Sequence, residues 1–242
     1  MIDKTEIVMI GIGGASASGK STLSSLLARI FQNSTNFSQD NFFKNISQIA
    51  TIPEMDDYPL LESPDALDFP TFIETLKHFR QTGSSINPQK EGLVIKKRFE
   101  GSPHLESLVK SLSLKVRDTL EDDEWKFSFV DGYLLYWDIE VVKELDLRFF
   151  VQADYGIVKE RRKDISSDES WFEPLGYFDT YVWPYYLKFH EPLFNGFFET
   201  GRTTDSVVVL KSNYVDDLYK NLEITVEKIL EYVKAKKIER NL

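Results

Sequence analysis

The hydrophobic pattern at the start of the chain predicts a buried strand, a short loop and an amphipathic helix. Residues 7–12 form a continuous apolar run of strand length, which is typical of a strand buried on both faces. Small residues follow over 13–19. Beyond them, apolar residues recur at intervals of three and four, as on one face of a helix: Leu23, Leu26, Leu27, Ile30 and Phe31.

Predicted strands and helices continue to alternate along the rest of the chain. Further strands are predicted over residues 35–38, 126–131, 145–152 and 207–210. Further helices are predicted after the N-cap Asp68, over 105–120, between strand 145–152 and Lys163, and along the apolar stripe of 218–233. This alternation predicts an α/β fold with a doubly wound parallel sheet, in a single domain that spans residues 1–242.

A few stretches depart from the alternation. Residues 83–103 are rich in Gly, Ser and Pro, and residues 164–176 are polar, so both are predicted to be mostly loop. The basic residues 234–240 are expected to form a solvated tail that complements the dipole of the preceding helix. The aromatic residues of 179–198 are expected in the core and in pocket walls, and His190 in a structural or an exposed position.

Composition narrows the classes of function. The 242 residues carry 29 basic and 39 acidic side chains, a net charge of −10, which disfavours nucleic acid and anionic membranes as partners. The lack of cysteine excludes disulfides, thiolate metal sites and cysteine nucleophiles, and the spacing of the three histidines suggests no metal cluster. Neither a secretory signal nor an apolar run of membrane length is evident. We therefore expect a cytoplasmic protein, with the nucleus and the oligomeric state left open.

The loop after the first strand carries a specific chemistry. It matches the phosphate-binding P-loop pattern G-x-x-x-x-G-K-[ST], with the residues Gly14, Ala15, Ser16, Ala17, Ser18, Gly19, Lys20 and Ser21. The glycines let backbone N–H groups point at phosphate oxygens, and the next helix adds the positive end of its dipole. Lys20 is expected to reach the β and γ phosphates of a nucleotide, and the Ser21 hydroxyl to bind Mg²⁺.

Two carboxylates are expected beside the P-loop. Asp40 and Asp131 each follow a predicted strand, and doubly wound sheets bind ligands at the carboxyl ends of their strands. Asp131 ends an apolar run, as a Walker-B acid does, and is expected to hold Mg²⁺ directly or through water. Asp40 is a candidate to receive the proton of an acceptor hydroxyl, and Arg161 and Arg162 are candidates to neutralise charge during phosphoryl transfer.

Sequence strings separate the classes of P-loop protein and then point to one group. The chain lacks the Asn-Lys-x-Asp string of GTPase switches and the Leu-Ser-Gly-Gly-Gln string of transporter ATPases, which favours a small-molecule kinase. Several of its strings resemble the nicotinamide riboside kinases, a group of uridine kinase-like P-loop kinases. They are residues 14–22, Ser-Gln-Asp-Asn-Phe-Phe-Lys at 38–44, Glu-Ser-Pro-Asp-Ala-Leu-Asp-Phe at 62–69, Val-Asp-Gly at 130–132, and shorter matches at 159–162, 177–179 and 182–183.

The resemblance covers most of the chain in a consistent order and weakens over 83–125. It implies a P-loop fold with a five-stranded parallel sheet, a short lid at about residues 161–176, ATP and Mg²⁺ as cofactors, and a nucleoside as acceptor. Asp40 is then the base for the ribose 5′-hydroxyl, close to Mg²⁺, and Glu62 accepts hydrogen bonds from the 2′ and 3′ hydroxyls. Arg161 and Thr22 are implied at ATP. The other residues implied at the acceptor are Asn41, Phe42, Phe43, Leu61, Arg162 and Glu173.

Three departures from this family keep other functions open. Leu61 stands where the family has an aromatic residue that stacks on the base, and Asn41 replaces a second acid. The stretch after Arg162 is short and lacks matches to an Arg and a Tyr, although Trp171 or Phe172 could replace an aromatic face. The first hypothesis is a kinase for nicotinamide riboside, with nicotinic acid riboside as a further acceptor. The alternatives are a kinase for uridine, cytidine or another small metabolite, and a non-catalytic nucleotide-binding relative. Adenine contacts are expected near residues 212–214.

Overall fold

The computed structural model describes residues 5–86, 102–121, 125–166, 173–193 and 207–240. Its strands are β1 (Glu6–Gly14), β2 (Ser34–Ser38), β3 (Thr51–Ile52), β4 (Tyr58–Pro59), β5 (Trp125–Gly132), β6 (Leu147–Gln152) and β7 (Val208–Lys211). Its helices are α1 (Lys20–Ile30), α2 (Phe69–Thr82), α3 (Pro103–Leu120), α4 (Ile139–Lys143), α5 (Tyr155–Ser166), α6 (Trp183–Pro192) and α7 (Val215–Arg240). Five strands form one sheet in the order β2-β5-β1-β6-β7, and β3 pairs with β4 in a small hairpin.

Neighbouring strands of the five-stranded sheet are all parallel, which confirms the predicted sheet. The first strand is central, because β1 pairs with β5 on one side and with β6 on the other. At the end of β2, Ser38 lies opposite Asp131 of β5. The carboxyl ends of β1, β2 and β5 therefore meet at one edge of the sheet, where the P-loop also begins.

Helices cover both faces of the sheet, as a doubly wound fold requires. On one face, α1, α3 and α7 bury apolar side chains such as Leu26, Leu112 and Val226. On the other face, α2 and α4 form a second core that includes Phe72 and Val141. The central strands are thus covered from both sides, which explains why β1 contains a continuous apolar run and why β5 is buried at all but one of its positions.

The two helix starts predicted from the sequence form by different means. Gly19 precedes α1 with a φ of 107°, a left-handed conformation that glycine adopts readily. Asp68 caps α2, because its Oδ1 accepts a hydrogen bond from the Thr71 N–H at 3.1 Å, and Pro70 lies in the first turn of that helix. Both predictions are confirmed, since each depends only on residues within one turn.

The prediction of a tail over residues 234–240 is wrong in conformation, although five of these seven residues are exposed and the basic Lys237 and Arg240 lie at the end of the helix, where they complement its dipole as expected. These residues continue α7 to Arg240. The Lys237 ammonium donates hydrogen bonds to the last two carbonyl groups of α3, at 3.1 and 3.0 Å. The Arg240 guanidinium pairs with Glu6 at 2.8 Å and lies over the ring of Trp125, 4.7 Å from its centroid. The basic side chains therefore join the C-terminal helix to α3 and to the first strand.

Other differences concern loops and aromatic segments. Helix α5 extends to Ser166, so its end falls inside the stretch predicted as loop. Helix α6 was not predicted, because its aromatic residues obscure the apolar period and Pro184 suggests a break, although Pro184 lies in the first turn, where proline is tolerated. His190 is 3% exposed, so the structural alternative holds for it.

Several predictions fall partly or wholly outside the described residues. Residues 167–172 of the predicted lid and residues 194–198 of the predicted aromatic segment are outside. Of the loop predicted over 83–103, residues 87–101 are outside, and α3 begins at Pro103. Trp171 and Phe172 also lie outside. In the ranges that the structure describes, no helix is both long enough and apolar enough to cross a membrane.

Candidate active site

The P-loop curves tightly between β1 and α1. Gly14 has a φ of 142°, and a Cβ atom at this position would lie 2.3 Å from the carbonyl oxygen of Val151, so only glycine fits. Ala17 also has a positive φ, of 61°. Backbone of this kind can direct successive N–H groups into an anion-binding concavity. The local geometry thus agrees with the phosphate loop that the motif predicts.

The P-loop lysine is buried close to both predicted acids. Lys20 begins α1, is 8% exposed, and donates a hydrogen bond from its ammonium to the carbonyl oxygen of Ala15 at 2.8 Å. Burial lowers the pKa of Lys20, and the negative charges of Asp40 and Asp131 oppose this fall. The structure therefore brings together the three residues that were predicted to be catalytic.

Asp131 lies at the end of β5 and is 5% exposed. Its Oδ1 accepts hydrogen bonds from the hydroxyls of Ser38, at 3.2 Å, and Ser21, at 3.4 Å. Burial raises the pKa of Asp131 to about 6; the charge of Asp40 adds to the rise, and Lys20 opposes it. The predicted Mg²⁺ ligand Ser21 thus lies beside the Walker-B-like acid.

The raised pKa of Asp131 predicts how its removal changes stability. In the unfolded chain this carboxyl titrates near 3.8, so the folded protein binds more protons between pH 3.8 and about 6, and stability falls as pH rises through that window. We expect Asp131→Asn to stabilise the metal-free, nucleotide-free protein at pH 7.5 by about 2–3 kcal/mol, and not at pH 4. Urea unfolding in EDTA at both pH values measures this. An equal effect at both pH values would contradict it.

Asp40 lies in a single helical turn, Gln39–Phe42, directly after β2. Its side chain is open to solvent within the crevice, although protein surrounds it on most sides. This enclosure raises the pKa of the Asp40 carboxyl group, and the cations Lys20 and Arg162 oppose the rise. An accessible carboxylate near two cations is suited to receive a proton from an acceptor hydroxyl.

Gln39, which the sequence pattern did not single out as a site residue, is fully buried between the ends of β2 and β5. Its Oε1 accepts a hydrogen bond from the Leu134 N–H at 3.0 Å. The same side chain packs on Gly132, the residue after Asp131. Gln39 therefore connects the residue before Asp40 to the turn that follows Asp131. The one feature of the sequence that indicates a role for Gln39 is its place in the Ser-Gln-Asp string.

The contact between Gln39 and Gly132 predicts a large effect of a small substitution. A Cβ atom at position 132 would lie 2.5 Å from Gln39 Oε1 and 2.8 Å from Gln39 Cβ, so Gly132→Ala must displace Gln39. We expect a loss of about 1–3 kcal/mol in the free energy of unfolding, together with lower kinase activity. Gly156→Ala in α5 is the matched control, because a Cβ atom there meets nothing within 4 Å. Equal unfolding midpoints for the two variants would contradict the prediction.

The acid predicted to bind the ribose belongs to a buried ionic cluster, which we call the buried triad: Glu62, Arg162 and Glu173. Arg162 Nη2 lies 2.9 Å from Glu62 Oε1, and Arg162 Nε lies 2.6 Å from Glu173 Oε2. All three side chains are at most 10% exposed. Burial works against the charge of Arg162, but the two carboxylates outweigh it and raise its pKa, while burial raises the pKa of Glu62. Arg162 is therefore engaged by two carboxylates, one at Nη2 and one at Nε of its guanidinium group.

Arg161 makes its contacts at the P-loop. Its Nη1 donates hydrogen bonds to the Ser18 carbonyl oxygen and to Ser212 Oγ, both at 3.3 Å, and its Nη2 donates to the Asn213 carbonyl oxygen at 3.4 Å. The Ser212 hydroxyl also donates to the Ser18 carbonyl oxygen, at 2.7 Å. The structure thus brings Arg161 and residues 212–213 together beside the loop, and their roles at ATP stay predictions.

The aromatic residues predicted at the acceptor divide between core and crevice. Phe42 is 6% exposed and packs on Phe72, with ring centroids 4.8 Å apart, because the turn after β2 directs it into the core. This position agrees with the expectation that the Phe42-Phe43 stretch belongs to core and pocket wall, and the contact of Phe42 with the acceptor stays a prediction. Phe43 is half-buried and stacks on Tyr133, with centroids 6.0 Å apart and an interplanar angle of 18°. Two further predicted residues are half-buried: Asn41 and Leu61.

The residues present fit Mg²⁺ with a nucleotide. Within the described ranges, no three His, Asp or Glu side chains form a metal-binding group of their own. Mg²⁺, however, is commonly held by one or two carboxylates or hydroxyls together with phosphate oxygens and water. The Ser21 hydroxyl and the Asp131 carboxylate supply such oxygens beside the P-loop, and Asp40 lies close to them. Together, the loop, the parallel sheet and these acids define a P-loop kinase that acts on small molecules.

Comparison with known proteins narrows this class. A relative named nicotinamide riboside kinase, from Schizosaccharomyces pombe, is 28% identical over 231 residues, which cover 92% of this chain and 96% of that protein. The protein of the same name from Saccharomyces cerevisiae is 28% identical over 193 residues, covering 78% of this chain and 80% of that one. The chain is therefore a homologue of the nicotinamide riboside kinases, which confirms the resemblance seen in its motifs.

Comparison with family models and with solved structures does not narrow the function further. No family model matches the chain. A solved structure described as a possible uridine kinase from Bacillus stearothermophilus aligns over 86% of this chain and 90% of its own, with a TM-score of 0.44 and 13% identity. This likeness is too distant to carry an argument about function.

Proposed function

We propose that this chain transfers the γ-phosphoryl group of ATP to the 5′-hydroxyl of nicotinamide riboside, forming nicotinamide mononucleotide in NAD salvage. The observation that carries the proposal is the position of the buried triad of Glu62, Arg162 and Glu173 close to the P-loop lysine. The charges of Glu62 and Arg162 shift the pKa of Lys20, as the charge of Asp40 also does. A phosphate-binding cation and a carboxylate suited to a ribose diol therefore share one crevice.

Each residue has a separate task in this proposal. The P-loop N–H groups and Lys20 hold the phosphates and balance their charge. Asp40 receives or orients the proton of the 5′-hydroxyl, while Glu62 uses the acceptor capacity left by Arg162 to bind the neighbouring ribose hydroxyls. Ser21 and Asp131 would hold Mg²⁺ together with the phosphates, and the metal ion would supply additional charge neutralisation. The contribution of the protein is mainly the positioning of donor and acceptor.

The charge of the crevice favours a cationic acceptor. Lys20 and Arg162 face four acids, Asp40, Asp131 and the two glutamates of the buried triad, a formal excess of two negative charges. The pyridinium ring of nicotinamide riboside is positive, whereas uridine and cytidine are neutral, so Coulomb attraction favours the pyridine nucleoside. The stacked pair of Phe43 and Tyr133 adds aromatic surface beside the same acids.

The second candidate function is a pyrimidine nucleoside kinase, which the aliphatic side chain of Leu61 favours. A product assay separates the two. Purified protein is incubated with MgATP and an equimolar mixture of nicotinamide riboside, nicotinic acid riboside, uridine and cytidine, and the mononucleotides are quantified by mass spectrometry. Lys20→Ala, purified in the same way, controls for contaminating kinases.

Each outcome of this assay has one meaning. We expect nicotinamide mononucleotide as the main product, with nicotinic acid riboside as a slower acceptor because its carboxylate cancels the positive charge of its ring. Products from uridine and cytidine alone would overturn the proposal in favour of the second candidate. Absence of any product from protein that still binds ATP would indicate a nucleotide-binding relative without kinase activity.

A further inference from the structure

We propose that Tyr133 is a positioning residue of the acceptor site, which holds the backbone of Leu61 and thereby the carboxylate of Glu62. This inference rests on the function proposed above and adds a residue that neither the motifs nor the comparisons assign. Its basis is the contact between the turn that follows β5 and the segment that contains Glu62.

The contact is a hydrogen bond between distant parts of the chain. The Tyr133 hydroxyl donates to the carbonyl oxygen of Leu61 at 2.7 Å, across 72 positions of sequence. Leu61 is the residue immediately before Glu62, whose side chain is bound to Arg162. A shift of the Leu61 carbonyl therefore moves the backbone from which the Glu62 carboxylate extends.

The hydroxyl group of Tyr133 lies among the acids of the site. Burial raises the pKa of Tyr133 far above its usual range, and the negative charges of Glu62 and Asp40 raise it further. The phenol hydroxyl is the donor of the bond to Leu61, because a backbone carbonyl oxygen can only accept. The ring of Tyr133 is held in turn by stacking on Phe43, so the orientation of the hydroxyl is fixed from two sides.

The next residue of the same turn reaches the other catalytic segment. The Leu134 N–H donates to Gln39, which directly precedes Asp40. Two consecutive residues, Tyr133 and Leu134, therefore connect the end of β5 to the segments that carry Glu62 and Asp40. The hydrogen bond of Tyr133 positions the ribose-binding acid Glu62. The hydrogen bond of Leu134 positions the segment that carries the base Asp40.

The first experiment compares two tyrosines that make the same bond in different places. Tyr133→Phe removes only the hydroxyl and keeps the stack on Phe43. Tyr136→Phe is the matched control, because the Tyr136 hydroxyl donates to the Phe149 carbonyl oxygen at 2.7 Å, and Phe149 lies within the sheet strand β6. Steady-state kinetics give kcat and the KM values for nucleoside and ATP, with whichever nucleoside the wild-type protein phosphorylates.

The proposal predicts a specific change in these constants. We expect Tyr133→Phe to raise the KM for the nucleoside about tenfold, with the KM for ATP within twofold of wild type. Tyr136→Phe is expected to leave the nucleoside KM within twofold. An unchanged nucleoside KM in Tyr133→Phe, or an equal rise in the KM values for nucleoside and ATP, would overturn the proposal.

A second measurement does not depend on the identity of the acceptor. Hydrogen–deuterium exchange of the ligand-free protein reports on the amides of Leu60 and Leu61, which donate to the carbonyl oxygens of Ala50 and Pro59. We expect these amides to exchange at least threefold faster in Tyr133→Phe and at the wild-type rate in Tyr136→Phe. Unchanged exchange in Tyr133→Phe would refute the positioning role even for a protein with no kinase activity. Failure of the proposed function shows instead in the product assay of the wild-type protein.

Discussion

Asp40→Asn is expected to lower kcat about 10³-fold while ATP binding stays close to that of the wild-type protein. Asparagine keeps the size of the side chain and an oxygen acceptor, but it cannot take a proton from the acceptor hydroxyl. The carboxyl group of Asp40 lies open in the crevice, and its surroundings raise its pKa toward the working pH, where a general base is most effective. Rapid-quench measurement of a single turnover isolates the chemical step, and calorimetry measures ATP binding.

The matched control for this variant is Asp65→Asn. Asp65 is an exposed aspartate in the Glu-Ser-Pro-Asp string, so its replacement removes the same charge without touching the crevice. We expect this control to keep kcat within twofold of wild type. A single-turnover rate for Asp40→Asn within tenfold of wild type would show that the base is another residue, or that none is needed.

Lys20→Ala is expected to lower kcat by about 10³-fold and also to weaken ATP binding, because in the proposed function the lysine neutralises phosphate charge in both the ground state and the transition state. Removal of this cation also changes its neighbours. Lys20 lowers the pKa values of Asp40 and Asp131, so its loss shifts both upward. Any residual activity of Lys20→Ala should therefore need a higher pH than that of the wild-type protein.

The control for this lysine is Lys143→Ala. Lys143 is exposed on α4 and pairs with Glu140, away from the P-loop. Circular dichroism of both variants tests whether the fold is retained. The prediction fails if Lys20→Ala, with a wild-type spectrum, keeps its kcat within tenfold, or if its pH profile stays in place.

The parts of the site that could be predicted from the sequence are those that depend on a few consecutive residues. The P-loop is such a part, because the positions of Gly14, Gly19 and Lys20 follow from backbone conformation and local charge. The carboxyl end of β5 was also predictable, since Asp131 follows the apolar residues Phe129 and Val130 and a polar residue at such a place marks the end of a buried strand. The mostly polar strand β2 was predicted to end near Asp40, and the structure ends it at Ser38. Parallel topology then brings Asp40 and Asp131 to one edge.

Contacts between distant segments could not be predicted in this way. The sequence shows two adjacent arginines, yet Arg161 binds the P-loop and Arg162 joins the buried triad. Likewise, Phe42 enters the core while Phe43 lines the crevice. Such differences depend on the direction of each side chain in a one-turn helix or at a helix end, which periodicity over a few residues does not determine.

The conformation of the basic C-terminal residues also depends on partners that are distant in the sequence. Their composition is equally compatible with a solvated tail and with the last turns of a helix. The structure favours the helix because the carbonyl groups at the end of α3 accept hydrogen bonds from Lys237, and because Glu6 pairs with Arg240. Neither partner is visible from the local sequence.

The central position of β1 has a consequence for biosynthesis. Its partners, β5 and β6, begin at Trp125 and Leu147, so the strand that leads into the P-loop has no neighbour in the sheet until more than half of the chain has been made. Until then its apolar residues are exposed to chaperones or to aggregation. Pairing across such long stretches of chain is also slow, so refolding should be limited by assembly of the sheet rather than by formation of its helices.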